Sequence, residues 1–358
     1  MLYLNDFKNF SEYESFVNDF TMENVTVSFV EETGLIYLNG LKEDIDYNTQ
    51  YLTMEAVTEG QFGFVRNACK NVKYSLDNGS TWVDFDLHYS NVGVGNDNFV
   101  NNLIWTPILS PGQKVLWKGE YDESVKDSNM FGVGFLYSTG DYNLSGNALS
   151  LTHGDNFIGK NETLGNYFLY NLVGYINIMI NMEYLQNGEY DRIPGVIDAS
   201  NFILPSNLNY NSEFYSMFAS CTKLINAPKL PATTLSNNCY TAMFQGCTSL
   251  TTVPELPATT LTTYCYYQMF RECTSLTKSP VLPATTLVKN SYSGMFRDCT
   301  NLSEITMLAT DISATSCLTG WVSGVSSTGT FIKHPDMTSL PTGVDGIPSG
   351  WEVVDYQG

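Results

Sequence analysis

The stretch CTSLTTVPELPATTL at residues 247–261 returns almost unchanged as CTSLTKSPVLPATTL at 273–287, and a looser copy, CTKLINAPKLPATTL, precedes both. Around these copies whole columns hold a period of 26 residues: Met217-Phe218, Met243-Phe244, Met269-Phe270 and Met295-Phe296; Cys221, Cys247, Cys273 and Cys299; Leu224, Leu250, Leu276 and Leu302. A strict period in this range leaves few folds open, because one such coil cannot bury its own apolar face whereas stacked coils share a continuous core. Neighbouring coils then lie ~4.8 Å apart along a parallel sheet, and each column stacks on its own copies. LTTVPEL suits a short strand, since Pro254 and Pro257 bar a helix there, and TTYCYYQMF predicts a turn of helix or 3₁₀ on the return side.

The register extends beyond the obvious copies. Leu204-Pro205 matches Leu230-Pro231, Leu256-Pro257 and Leu282-Pro283, which predicts an irregular coil around residues 191–216. At the other end MLATDISATSC stands where LPATTL and its sequel should be, and Trp321 takes the place of the Met. That decay predicts a capping coil from about residue 303 with no further coil after it.

Seven of the eight cysteines belong to the period, in a ladder of four and a ladder of three, Cys239, Cys265 and Cys317. Ser291 replaces one rung of the second ladder and cannot bridge to a neighbour, so the columns read as small buried residues with free thiols. No Cys-x-x-Cys or Cys/His cluster offers a zinc site.

The rest of the chain reads as two further segments. Residues 1–46 combine the capping-box pair Ser11 and Glu14 with Phe10, Tyr13, Phe16, Val17 and Phe20 on one helical face, then an alternating stretch turning at Glu32-Thr33-Gly34. A helix and a hairpin bury little, so this reads as an attachment segment that leans on another domain or chain. Residues 47–142 carry evenly spaced strand-like runs, QFGFV, NVKYSLDNGSTWVDFDL and KVLWKGEY, with a tight turn at Asp77-Asn78-Gly79, and predict a β-sandwich. The loop with Gly93, Gly95 and Asp97 completes neither a phosphate-binding nor a calcium pattern and reads as ordinary surface.

The net charge of −20, half of it in the first 60 residues where twelve acids face Lys8 and Lys42, argues against nucleic acid or an anionic membrane as a partner. No run approaches the ~20 apolar residues of a membrane span. The opening MLYLNDFKNFSEYESF lacks the basic start and apolar run of a signal peptide, so the expectation is a chain that stays where it is made.

The repeat unit F-x-x-C-x-S-L-x-x-x-x-x-L-P resembles the BspA-type leucine-rich repeats of surface proteins in gut and oral bacteria. The LPATTL…CYxxMF wording is similar to the variant found in Bacteroides and its crAss-like phages. VKYSLDNGSTW with LSPGQKVLWKG resembles the immunoglobulin-like domain that often precedes such repeats, and ATDISATSCLTGWVSGVSSTGTFIKHPDM resembles their closing segment. The resemblance covers roughly residues 70–358; within it, residues 144–200 keep the apolar content and lose the wording. It implies a mainly β chain. An N-terminal helix-hairpin segment (1–46) leads to an immunoglobulin-like sandwich (47–142) and a leucine-rich repeat solenoid with its cap (143–358).

It also implies binding to a host protein or glycan. The absence of an export signal favours a phage virion component, a head fibre or tail-associated adhesin on the virion surface. The acidic segment 1–46 would attach it to other virion proteins, and a homo-oligomer is compatible with the exposed sheet edges. The alternative is a bacterial cell-surface adhesin whose export signal is missing.

A polysaccharide-degrading enzyme is the third reading. His88, His153 and His334 are isolated, no nucleophile or metal motif occurs, and Asp84, Asp86, Glu120, Asp122 and Glu123 stand at spacings an acidic surface produces by chance. No catalytic residue, metal or cofactor is therefore expected. If the repeats bind a partner, the candidate residues are those that vary within the fixed coil: Asn226, Thr252, Lys278 and Glu304 in one column, and Lys229, Glu255, Val281 and Met307 in a second. Tyr240, Tyr266 and Tyr292 form a third, as flat rings for sugars or protein or as packing residues.

Overall fold

The computed structural model describes residues 26–30, 35–39, 46–85, 103–125, 132–173, 195–338 and 340–357. The protein is mainly β, with one short α-helix among the described residues, and divides into two units, Met1–Asp46 and Tyr47–Gly358. In the first, β1 (Thr26–Val30) and β2 (Leu35–Asn39) pair antiparallel, Val30 opposite Leu35, as the alternating pattern predicts. The helix expected over Phe10 to Phe20 and the turn at Glu32-Thr33-Gly34 lie outside the described residues.

The second unit opens with two antiparallel layers. Strands β3 (Leu52–Ala56), β5 (Cys69–Ser75), β6 (Val83–Asp84), β7 (Lys114–Tyr121) and β9 (Tyr142–Asn147) belong to one six-stranded sheet, and β4 (Phe62–Arg66) pairs with β8 (Gly134–Ser138) in a second. Phe62 and Phe64 join the layers, their rings 5.9 Å from Tyr142 and 6.3 Å from Trp117. The β5–β6 turn is the one predicted, with Asn78 at φ 56° and Gly79 at φ 88°. Asp77 holds that turn by accepting the Thr81 hydroxyl (2.6 Å), the Thr81 N–H (2.8 Å) and the Ser75 hydroxyl (2.7 Å), and these donors lower its pKa to about 2.

The sixth strand of the first sheet is β10 (Val196–Ile203), which runs parallel to β9 and begins a stack of coils. Bridges from Asp198 to Asn226 and from Asn226 to Thr252 carry the stack upward. A parallel sheet of β11 (Lys278–Leu282), β12 (Glu304–Met307), β13 (Thr330–Lys333) and β14 (Glu352–Asp355) continues it. Inside, Phe218, Phe244, Phe270 and Phe296 stack with centroids 5.6, 5.6 and 5.8 Å apart and rings within 14° of parallel. Cys247, Cys273 and Cys299 donate their thiols to the carbonyls of Phe218, Phe244 and Phe270 in the preceding coil, at 3.1, 3.1 and 2.9 Å. All eight cysteines are buried free thiols, and burial pushes Cys265 and Cys299 up to about 12, which keeps them protonated and unreactive.

The return side corrects the expectation of a turn of helix or 3₁₀. Between Asn238 and Cys247 the backbone donors alternate. Thr241, Met243, Gln245 and Cys247 bond back to Asn238, Tyr240, Ala242 and Phe244, closing turns within the coil. Asn238, Tyr240, Ala242, Phe244 and Gly246 bond outward to Thr263, Cys265, Tyr267, Met269 and Arg271 of the next coil. A helix satisfies its donors internally and leaves nothing to hold a neighbour; this ladder of overlapping turns spends half of them on the stack. The geometry requires a left-handed residue at every fourth position, as at Asn238, Ala242 and Gly246 (φ 58°, 52°, 74°) and again at Asn290, Gly294 and Asp298 (φ 55°, 64°, 62°).

The antiparallel layers and the stacked coils belong to one unit, and the sheet runs through residues 142–147 without a break. On the strand side β9 pairs with both β3 and β10. On the return side the turn ladder starts from β8: Val133 donates to Phe168 and Leu136 to Leu172, while Tyr167, Leu169 and Val173 donate onward to Asn211, Glu213 and Met217. One hydrophobic cluster accordingly extends from Leu52 to Trp351. At the far end the expectation of no further coil is also corrected, because β13 and β14 add two more parallel rungs. The turn ladder closes there by other means. Gly320 N–H bonds the Asp345 carboxylate at 2.5 Å, Val322 N–H the Val344 carbonyl at 3.3 Å, and the Trp321 indole the Gly346 carbonyl at 2.9 Å.

Glu213 occupies the Cys239 column and is fully buried. Its carboxylate accepts the Ser236 hydroxyl, the Tyr210 N–H at 2.7 Å and the Thr163 hydroxyl at 3.3 Å. Burial raises its pKa above the ordinary carboxylate value, and these donors only partly offset it. The protonated form is therefore the one the fold prefers. Its contribution is full below the ordinary value of 4.5 and is lost as pH rises through the folded value. Urea titrations of wild type and Glu213→Gln across pH 3 to 8 are expected to diverge in the variant's favour as pH rises; parallel curves would contradict this.

Candidate functional site

The strand face of the stack is where fixed and varying positions separate. The repeated Leu, Phe, Met and Cys of each coil are inside, and Pro254 and Pro280 are buried at the strand edge. Thr252 and Lys278 are exposed and Asn226 and Glu304 half-buried; a bridge sets Asn226 beside Thr252, strand pairing sets Lys278 beside Glu304, and the period aligns the two pairs. Polar contacts run along this column. Asn226 donates to Asp198 at 2.6 Å, and Lys278 pairs with Glu304 at 3.2 Å. Burial raises the Asp198 pKa, but the Ser200 hydroxyl and N–H and the Asn226 amide outweigh it and leave the carboxyl below its ordinary value. In the second column Lys229, Glu255 and Val281 are exposed, Val281 at 44%.

Two sets of candidate residues need correction. Met307 is fully buried, because the pairing slips by one residue between β11 and β12 and sets Leu282, not Val281, opposite Met307. A one-residue slip turns a strand side chain to the other face, and the period alone does not reveal it. Tyr240, Tyr266 and Tyr292 are inside as well, at 1%, 1% and 0% exposure, with centroids 5.8 and 6.1 Å apart. They are packing residues, beyond the reach of a sugar or a protein.

Their hydroxyls find no hydrogen-bond partner among the described residues, and Phe214 already stands in the same column, stacked 5.6 Å from Tyr240. Removing an unpaired buried hydroxyl while keeping the ring relieves a desolvation cost, so Tyr266→Phe is expected to stabilise the protein by about 1 kcal/mol. Equilibrium denaturation reads this directly, and a loss of stability would show that the hydroxyl is bonded.

A site that the sequence reading missed lies beside the first coils. After β9 the chain detours through a four-residue helix, α1 (Ser150–His153), and a 3₁₀ turn (Gly154–Asn156) before rejoining the stack near Asn161. A cleft of about 420 Å³ lies between that detour, the end of β10 and the next coil, with Lys160, Asn161, Phe202, Pro205, Lys229 and Pro231 among its walls. Lys229 thus belongs both to a predicted column and to a concavity. No local motif marks the cleft, because residues distant in sequence make it.

The antiparallel layers carry a second polar cluster, which is closed on itself. Lys118 lies 4.1 Å from the Trp82 ring centroid and 2.6 Å from Asp155, and Tyr51 donates to Asp155 at 2.6 Å. Burial together with the Asp155 carboxylate raises the Tyr51 pKa to about 12.

Of the carboxylates weighed for hydrolysis, Asp84 pairs with Lys73 at 3.0 Å, Glu120 accepts from Asn71 at 2.9 Å and Asp122 from Ser124 at 2.7 Å. Asp86, His88 and the loop with Gly93, Gly95 and Asp97 lie outside the described residues. Among the described residues no three His, Cys, Asp or Glu side chains converge as a metal site, and no helix is long and apolar enough to cross a membrane. The chain matches no known protein family, curated protein or solved structure.

Proposed function

We propose that the protein is a non-enzymatic binding and structural protein. In this reading residues 47–142 are an immunoglobulin-like sandwich and the coils a BspA-type leucine-rich repeat solenoid whose strand face meets a host protein or glycan. The observation that carries it is the division of labour within the coil. The repeated Leu, Phe, Met and Cys residues are in the core and the repeated Thr pairs of LPATTL are exposed at the turn, while Thr252, Lys278, Glu255 and Val281, which differ from coil to coil, are exposed on the strand side. A rigid scaffold with a varied surface is what recognition uses and packing does not require. The wording of the repeats supports a phage virion component, a head fibre or tail-associated adhesin, with residues 1–46 attaching it to other virion proteins. A bacterial cell-surface adhesin is the second reading, favoured by the same repeat wording.

Two measurements test this. Mass spectrometry of purified particles should find the chain if it is a virion protein, and its absence would leave the cell-surface reading. The combined variant Thr252→Lys, Glu255→Lys, Lys278→Glu and Val281→Asp should abolish attachment to host cells. Surface changes of this kind cost within about 0.5 kcal/mol each. Retained attachment would count against the strand face.

A further inference from the structure

We propose that the cleft beside the first coils is a binding site for a monosaccharide-sized organic acid, of the chemistry carried by uronic and sialic acid units. It goes beyond the strand-face reading, since it concerns a cleft that shares only Lys229 with the candidate columns and a defined ligand class. The cleft has a structural cause. In the regular coils Leu230-Pro231 and Leu256-Pro257 lead straight from the strand into the next turn, one layer over another. Below Leu204-Pro205 the chain makes its detour through α1, and the cleft opens between Lys160 and Asn161 on one side and Lys229 and Pro231 on the other. At about 420 Å³ it falls within the range of small-ligand sites, ~300–1,000 Å³.

The charge on its walls is the second argument. The protein carries −20, and Lys73, Lys114, Lys118, Lys223, Lys278 and Lys333 each pair with a carboxylate. Among the described residues Lys160 and Lys229 make no ion pair, and no carboxylate lines the cleft. Two unpaired ammonium groups on one concavity of an acidic protein make a local anion site. The remaining walls select against a bare ion. Ile203, half-buried, and Pro231, exposed, give apolar surface suited to the C–H faces of a ring, over a floor of the buried Phe202, Leu204 and Pro205. The Asn161 amide, fixed by bonds of 2.7 and 2.8 Å to Ser206, keeps the rim in place.

The test is titration calorimetry, with ligand-observed NMR, on the full chain. Probes are N-acetylneuraminic acid, glucuronic acid, glucose and sodium sulfate, on wild type, Lys160→Gln, Lys229→Gln and the double variant. The expected result is binding of at least one acidic sugar, no binding of glucose, and about tenfold weaker binding for each lysine removed. The variants should keep the wild-type melting temperature, since neither lysine makes an ion pair. No binding of either acid, equal binding of glucose, or undiminished binding by the double variant overturns the proposal. So does sulfate binding as tightly as the sugars, which would leave a simple ion site only. Because none of these probes touches Thr252, Glu255, Lys278 or Val281, failure here leaves the strand-face reading standing, and the converse holds.

Discussion

Phe270→Ala is expected to destabilise the protein by about 3–5 kcal/mol, the range for removing a fully buried aromatic ring. Phe270 has no exposed surface and stacks at 5.6 Å on Phe244 below and 5.8 Å on Phe296 above. Its loss therefore opens a gap in the middle of a column, not at its end. The fixed backbone resists collapse, since Phe270 N–H bonds to Met295 and its carbonyl accepts the Cys273 N–H and the Cys299 thiol. A chemical denaturation midpoint, read by circular dichroism, measures the effect. A loss below about 1 kcal/mol would mean that the coils repack around the vacancy, contrary to a close-packed stack.

The second large effect is expected at Gly146. This residue sits in β9 at φ 79°, and a Cβ there would overlap the Tyr51 carbonyl. Gly146→Val combines a left-handed backbone that a β-branched residue rarely adopts with a clash against main chain, so we expect a cost above about 3 kcal/mol. The location gives the experiment its second readout. β9 is held by β3 in the antiparallel layer and by β10 in the stack. Signals from Trp117, buried between the antiparallel layers, and Trp321, near the far end of the stack, should shift to lower denaturant together. If only the Trp117 transition moves, the stack folds without its base and the two parts are separable.

These two sites also mark what was legible in the sequence. The Phe column is plain in the text, because packing one coil on another demands the same residue at the same place. The Gly146 junction is not, since its partner Tyr51 is remote and nothing local records the contact. The period also identified which residues align without saying which way they face. Tyr240, Tyr266 and Tyr292 share a column correctly and lie inside, and Met307 falls on the inner face because one residue is lost between strands.

The return side carried a readable signal that was missed. Asn238, Gly246, Asn290, Gly294, Gly320 and Gly324 stand at multiples of four within their coils, the mark of recurring left-handed positions. TTYCYYQMFRE obscures it, since Tyr264, Gln268 and Glu272 adopt the same conformation without the usual residue types.

The alternating bonds of the turn ladder have a consequence for how such a chain changes over generations. Each coil offers donors to the coil above and acceptors to the coil below, and strand β8 and the Asp345 loop supply the two ends. A middle coil therefore meets the same surroundings wherever it is placed. Duplicating or deleting one whole unit of the gene leaves both ends intact and changes the reach of the face by a single step of ~4.8 Å. Any insertion that is not a whole unit breaks every column at once. Length and lettering are thus free to drift separately: the first by copying, the second by point substitution at positions such as Thr252 and Lys278.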